Sequence, residues 1–216
     1  MEAPAELAER NKASAKGAKD KAVRRELCSI LTKGTAESYS PHATYLLAVT
    51  EDAAHNLLGV AFVDVQSGRV SLGQCEEEEG KQRLRTLLAQ LQPAEILVDS
   101  ARTSAEACTI LRNAVPPGML NELAAERFGD ASAARASLAA GNYFGDGDDD
   151  AQWPRALQAA AAAERPLAFA AFGGCLNYLR RLLLDKQTIP LLDGSEWRPT
   201  DGGNPAATVG GGGATH

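Results

Sequence analysis

The sequence has 216 residues, 44% of them hydrophobic and 5% aromatic, enough for one ordinary domain of about 100–150 residues with extensions but not for two full domains. A formal charge of −6 excludes a broadly basic surface that grips duplex along its backbone, because that grip takes clustered Lys and Arg. The widely spaced Cys28, Cys75, Cys108 and Cys175 form no C-x-x-C pair and read as reduced structural thiols of an intracellular chain. The acidic start at Glu2, Glu6 and Glu9, and the lack of any run of about 18 apolar residues, disfavour secretion and membrane insertion.

Residues 5–22 are rich in Ala, Lys and Glu, helical by propensity but with little to bury. Val23, Leu27, Ile30 and Leu31 then recur at helical spacing, and Lys33, Gly34 and Thr35 supply a stop. Residues 36–43 read as a linker. From Tyr45 the period changes to strands over 45–50, 57–65 and 69–74. The Gln66-Ser67-Gly68 connection is too short for a crossover, so the second and third strands form an antiparallel hairpin. After the acidic run 76–79, Leu84, Leu87, Leu88 and Leu91 mark an amphipathic helix that Pro93 ends, and 94–98 is a compact apolar strand closing at Asp99. Together they make a βαβ unit.

A second helix is expected over 104–114, broken by Pro116, Pro117 and Gly118. Residues 119–128 suit strand or helix equally. Residues 130–144 and 153–164 read as helices, with a solvated acidic loop over 145–150 between them. A longer helix covers 167–184, where Gly173 and Gly174 permit a close helix approach or a bend. The Gly-rich remainder reads as disordered tail.

A sheet that opens with a hairpin and continues into βαβ also suits a ribonuclease H-like nuclease, with Asp64 and Asp99 as the candidate pair for Mg²⁺. That chemistry needs a carboxylate in the middle of the first strand, and residues 45–50 carry none. Turn and strand-end capping therefore describe Asp64 and Asp99 better. His42, His55 and His216 are scattered without metal-ligand spacing, and no G-x-x-x-x-G-K-[ST] occurs, so neither catalytic, metal nor cofactor residues are assigned. Cys108 and Cys175 fall on apolar helix faces as core residues. The basic cluster of Lys12, Lys16, Lys19, Lys21, Arg24 and Arg25 has acidic residues interleaved and no aromatic partner. A solvated helix face is the plainer reading, with Arg24 and Arg25 the candidates for a DNA contact.

Five segments, in order, resemble the MutS family. They are 23–28 with 31–35 (V-R-R-E-L-C and L-T-K-G-T), 59–64 with Gly68 (G-V-A-F-V-D), 93–97 (P-A-E-I-L), 127–132 (R-F-G-D-A-S) and 173–179 (G-G-C-L-N-Y-L). Within the family the likeness is greatest to the eukaryotic mismatch-reading paralogues, MutS homologue six. The resemblance implies an α/β fold: a ribonuclease H-like mixed sheet flanked by helices, then the helical start of a lever region and the disordered tail. It divides the chain into 1–35, the end of a mismatch-binding domain, 36–150, the connector, 151–193, the start of the lever, and 194–216, the tail. It further implies a non-catalytic relay in nuclear mismatch repair, with interdomain joints at Lys33, Gly34, Gly173 and Gly174.

In the intact family ATP, Mg²⁺ and mismatched DNA are bound, and the partners implied are MutS homologue two and a MutL-type protein. No Phe precedes Phe62, so the family's Phe-x-Glu mismatch reader is missing, as is its nucleotide-binding domain. The chain itself is expected to recognise no mismatch and hydrolyse no ATP, and to be a fragment or truncated product. The remaining alternatives are the nuclease using Asp64 and Asp99, and a module that docks a repair partner through the 145–150 loop or a sheet edge.

Overall fold

The computed structural model describes residue 32 and residues 44–144, 150–161 and 165–199. The expected lead-in helices, the joint at Lys33 and Gly34, the DNA-contact candidates Arg24 and Arg25, and the tail beyond residue 199 lie outside the described residues.

Eight residues each build β1 (Tyr45–Asp52), β2 (Leu57–Asp64) and β3 (Arg69–Glu76). They pair antiparallel in sequence, with Tyr45 opposite Asp64 and Asp64 opposite Arg69. Helix α1 (Gln82–Leu91) buries the four leucines its periodicity picks out and returns the chain to β4 (Glu95–Asp99), parallel to β1 on its far side. The acidic run serves that helix: Glu77 is buried and its carboxylate accepts from the backbone N–H of Arg83 at 2.9 Å and Leu84 at 3.0 Å, neutralising two of the donors every helix start leaves unpaired. Helix α2 (Ala105–Ala114), capped by Ser104, then leads to β5 (Leu120–Leu123), parallel to β4.

The ambiguous 119–128 stretch is both things in turn, since β5 is followed by a single helical turn, α3 (Ala125–Phe128). Helices α4 (Ala131–Gly141), α5 (Arg155–Ala161), α6 (Pro166–Arg181) and the short α7 (Asp185–Thr188) follow. The chain then re-enters the sheet as β6 (Asp193–Glu196), parallel to β3. The six strands lie in the order β5-β4-β1-β2-β3-β6.

Alternation sorts the strand side chains onto two faces. One, with Leu47, Val49, Val60, Phe62, Ile96 and Val98, is covered by α1 and α2. The other, with Leu46, Ala48, Ala61, Val63 and Leu97, is covered by α4, α5 and above all α6. Helix α6 buries both phenylalanines, Cys175 and Leu176 in this cluster, while its two glycines face Ala134 and Phe128.

Two expectations change here. Residues 151–193, expected to begin a separate lever, pack in the same core as β1–β5, because α6 is apolar around most of its girth and lies directly on β1 and β2. The expected tail does not start at 194 either, because Gly194–Glu196 belong to β6 and the Trp197 side chain is buried against the α1–α2 face. No helix among the described residues is long and apolar enough to cross a membrane.

Candidate functional site

The carboxylates of the nuclease alternative are at opposite ends of the sheet. Asp64 pairs with Tyr45 at the start of β1, whereas Asp99 neighbours Thr50, whose hydroxyl donates to it at 3.2 Å. Five residues of strand separate the two positions, roughly 16 Å at strand rise, and alternation points them to opposite faces. Each is already committed. Asp64 accepts from the Gln66 backbone at 3.0 Å and the Ser67 hydroxyl at 2.6 Å, closing the hairpin. Asp99, fully buried, accepts from Thr50, from the Ala101 backbone at 3.1 Å and from the Arg102 guanidinium. A metal shared by these two aspartates is geometrically impossible, which corrects that alternative and leaves both as structural caps.

Strand β1 runs on past Thr50 to include Glu51, a carboxylate the sequence reading did not weigh. It is buried on the α1–α2 face, the side opposite Asp99. It pairs with Lys81 at 2.9 Å and accepts from the Ser104 backbone at 2.7 Å, holding the starts of α1 and α2 together.

The strongest polar convergence in the core is at Glu95, in the first position of β4 and almost completely buried. Its Oε1 accepts from the Tyr178 hydroxyl of α6 at 2.6 Å and the Asn121 amide of β5 at 2.8 Å. Its Oε2 accepts from the Thr32 hydroxyl at 2.5 Å. Short O–H···O⁻ bonds of this kind are charge-assisted and about twice as strong as neutral ones. Burial, and then the bond to Glu95, push the Tyr178 hydroxyl well above the usual phenol range, keeping it a donor.

Thr32 belongs to the T-K-G-T segment, Glu95 to P-A-E-I-L and Tyr178 to G-G-C-L-N-Y-L, so three of the five family-like segments meet at one carboxylate. The sequence reading missed this site. The available signal was a carboxylate opening a short apolar strand, which when buried in a native core must find partners.

The R-F-G-D-A-S and G-G-C-L-N-Y-L segments also meet. Phe128 is fully buried and lies on α6, where a Cβ on Gly174 would stand 2.8 Å from its ring and one on Gly173 would stand 2.6 Å from the Ala134 Cβ. The Asn177 amide donates to the Arg127 carbonyl at 3.3 Å, and Asp130 caps α4 by accepting from the Ala133 backbone at 2.8 Å. Gly173 and Gly174, expected as a joint, lie in the middle of a continuous sixteen-residue helix. They serve close approach, and any hinge there would have to open this packing.

Among the described residues no group of three or more His, Cys, Asp or Glu is placed to hold a metal. His55 lies exposed beside Asp52 at 2.7 Å, while His42, His216 and Cys28 lie outside the described residues. Cys175 is fully buried, and burial pushes its thiol up to about 12. Cys108 is half-buried with its thiol also raised by burial. Of the acidic loop, 145–149 lie outside the described residues, and Asp150 pairs with Arg135.

Comparison with known proteins bears directly on the segments that meet at Glu95 and Phe128. Residues 44–193 match MutS domain II. The chain is 29% identical over 215 residues to the DNA mismatch repair protein Msh6 of Homo sapiens. It is 30% identical over 199 residues to MSH6 of Saccharomyces cerevisiae, and 31% over 220 residues to MSH6 of Arabidopsis thaliana. These alignments take in 88%, 81% and 87% of this chain but only 16% of each relative. The chain thus corresponds to about a sixth of the length of the relatives it matches.

Proposed function

The chain belongs to the MutS family through its second domain, and from that premise we propose that it is a non-catalytic connector in DNA mismatch repair, the part of a MutS homologue that relays displacement between a mismatch-binding domain and the ATPase and lever parts. A relay of this kind needs a stiff body and defined attachments. The observation that carries the reading is the Glu95 junction, where the lead-in residue Thr32 is hydrogen-bonded into the same buried group as β4, β5 and α6. The strand order β5-β4-β1-β2-β3 supports a ribonuclease H-like layout, and the capped Asp64 and Asp99 support a body of that layout that has no nuclease centre.

In this reading the body extends from β1 through Trp197, and the attachment on the lead-in side lies at 32–43, around Lys33 and Gly34. The chain acts in the nucleus as a fragment or truncated product of a longer protein. That protein would bind mismatched DNA, ATP and Mg²⁺, pair with MutS homologue two and meet a MutL-type protein. The purified 216-residue chain tests the non-catalytic part. It should bind mismatched and matched duplexes equally poorly, hydrolyse no ATP and cleave no DNA with Mg²⁺. A preference for the mismatched duplex, or Mg²⁺-dependent cleavage, would overturn the reading.

A further inference from the structure

We propose that the open edge of β5 is a self-complementary docking surface whose occupant is the β5 strand of a second copy of this chain, paired antiparallel across a two-fold axis at Asn121.

Strand β5 is one of the two edges of the sheet. Toward β4 it presents the Met119 carbonyl, which accepts from the Ile96 backbone at 2.8 Å, and the Leu123 carbonyl, which accepts from the Ser100 backbone at 3.0 Å. In a parallel ladder of this register Asn121 also turns its N–H and C=O to β4, so Leu120 and Glu122 turn theirs outward. Among the described residues no backbone group pairs with the outward side of either. Leu120 is half-buried and Glu122 exposed, and an unpaired edge of this kind is a template for another strand.

Two outward residues separated by one inward residue make the edge its own complement. With the two-fold at Asn121, Leu120 of one copy stands opposite Glu122 of the other, and each such pair exchanges both of its N–H···O=C bonds. Every outward group on the two strands is then used.

The side chains fit the same pairing. Leu120 and Glu122 project on the α2 face, where Arg112, Val115 and Pro117 help to line a groove of about 680 Å³ beside the strand. The two-fold carries Glu122 of each copy to the groove of the other, whose rim bears Arg112. Arg112 and Glu122 of one chain already pair at 2.7 Å, both exposed, so the arginines and glutamates of the two copies alternate with no net charge. An unrelated strand could meet the backbone groups, but it would have to supply this order of apolar and acidic residues itself.

Sedimentation of the full 216-residue chain from micromolar to millimolar concentration, with backbone amide exchange alongside, tests the pairing. The mass should rise from 22.7 kDa toward twice that value. The Leu120 and Glu122 amides should exchange about ten-fold more slowly once most chains are paired, while the Asn121 amide, already bonded to β4, changes little. Leu120→Pro removes an outward N–H, which an edge strand tolerates, and should hold the mass at 22.7 kDa. Glu122→Arg, a change at an exposed position, sets like charges against Arg112 of both copies and should weaken association about ten-fold or more.

A parent chain that stays monomeric throughout would overturn the pairing, as would association that survives both substitutions or leaves the Leu120 and Glu122 amides unprotected. None of these outcomes bears on the connector role, which the duplex, ATP and cleavage assays test separately.

Discussion

Phe128 and Gly174 are in contact such that a single added methyl group on the glycine would stand 2.8 Å from the phenylalanine ring. The ring is fully buried between α6 and the sheet, so it has nowhere to retreat. Gly174→Ala is expected to lower stability by about 1–3 kcal/mol through overpacking, read from urea unfolding midpoints. Phe128→Leu in the same chain should recover part of that loss, because the two residues share one space and their effects do not add.

Trp197 makes the C-terminal side of the sheet equally specific. Its backbone N–H donates to the Leu72 carbonyl at 2.7 Å, and its ring lies over Gly73, where a Cβ would stand 2.4 Å away. Trp197→Ala should cost about 3–5 kcal/mol, the usual range for emptying a buried aromatic site. A chain ended at Asp193 should lose a comparable amount in thermal unfolding, although the matched family region stops at that residue. Full stability of that shortened chain would show β6 and Trp197 to be dispensable.

Stability should fall in alkali. Burial raises the Cys75 thiol to about 11 and the Cys175 thiol to about 12 from an ordinary 9.0. The folded state therefore holds these protons where the unfolded chain releases them, and the native advantage, complete below pH 9, declines as pH rises through about 9 to 12. Unfolding midpoints measured between pH 8 and 10.5 should show this slope, and Cys175→Ala should flatten it. Thiol reagents at pH 8 should reach Cys175 only as fast as the core opens.

Asp99→Asn and Asp64→Asn should alter stability and nothing else. The first weakens the bonds from Thr50, Ala101 and Arg102, at about 1–3 kcal/mol for a buried group left partly unmet. The second loosens the hairpin turn by about 1 kcal/mol. Unfolding curves alongside a Mg²⁺ cleavage assay check both, and a cleavage activity lost on either substitution would restore a catalytic role to the aspartates.

Much of the sheet was legible because local rules fixed it. Strand pattern and a turn too short for a crossover dictated the β2–β3 hairpin, and the leucines of α1 dictated the crossover to β4. Strand β6 was not legible, since Asp-Gly-Ser-Glu has neither the pattern nor the propensity of a strand; it pairs only along the edge of β3 and is anchored by the residue after it. Strand β5 and helix α3 were indistinct because four residues each carry too little periodicity to separate them. Gly173 and Gly174 were seen as either a bend or a close approach, and what decides between them is Phe128, some 45 positions earlier in the chain. Glu95 illustrates the same limit. The three segments that meet there are visible one by one, but their convergence spans 63 and 83 positions and no local pattern encodes it.

The central proposal is that this domain acts as a coupling body and has no chemistry of its own. The most direct measurement is to replace the matching region of Saccharomyces cerevisiae MSH6 with residues 32–199 of this chain and to compare ATP hydrolysis with mismatched and matched duplex. The account predicts that the hybrid keeps a mismatch-dependent change in ATP hydrolysis. A hybrid that binds the mismatch and hydrolyses ATP, with the two processes independent of each other, would contradict it.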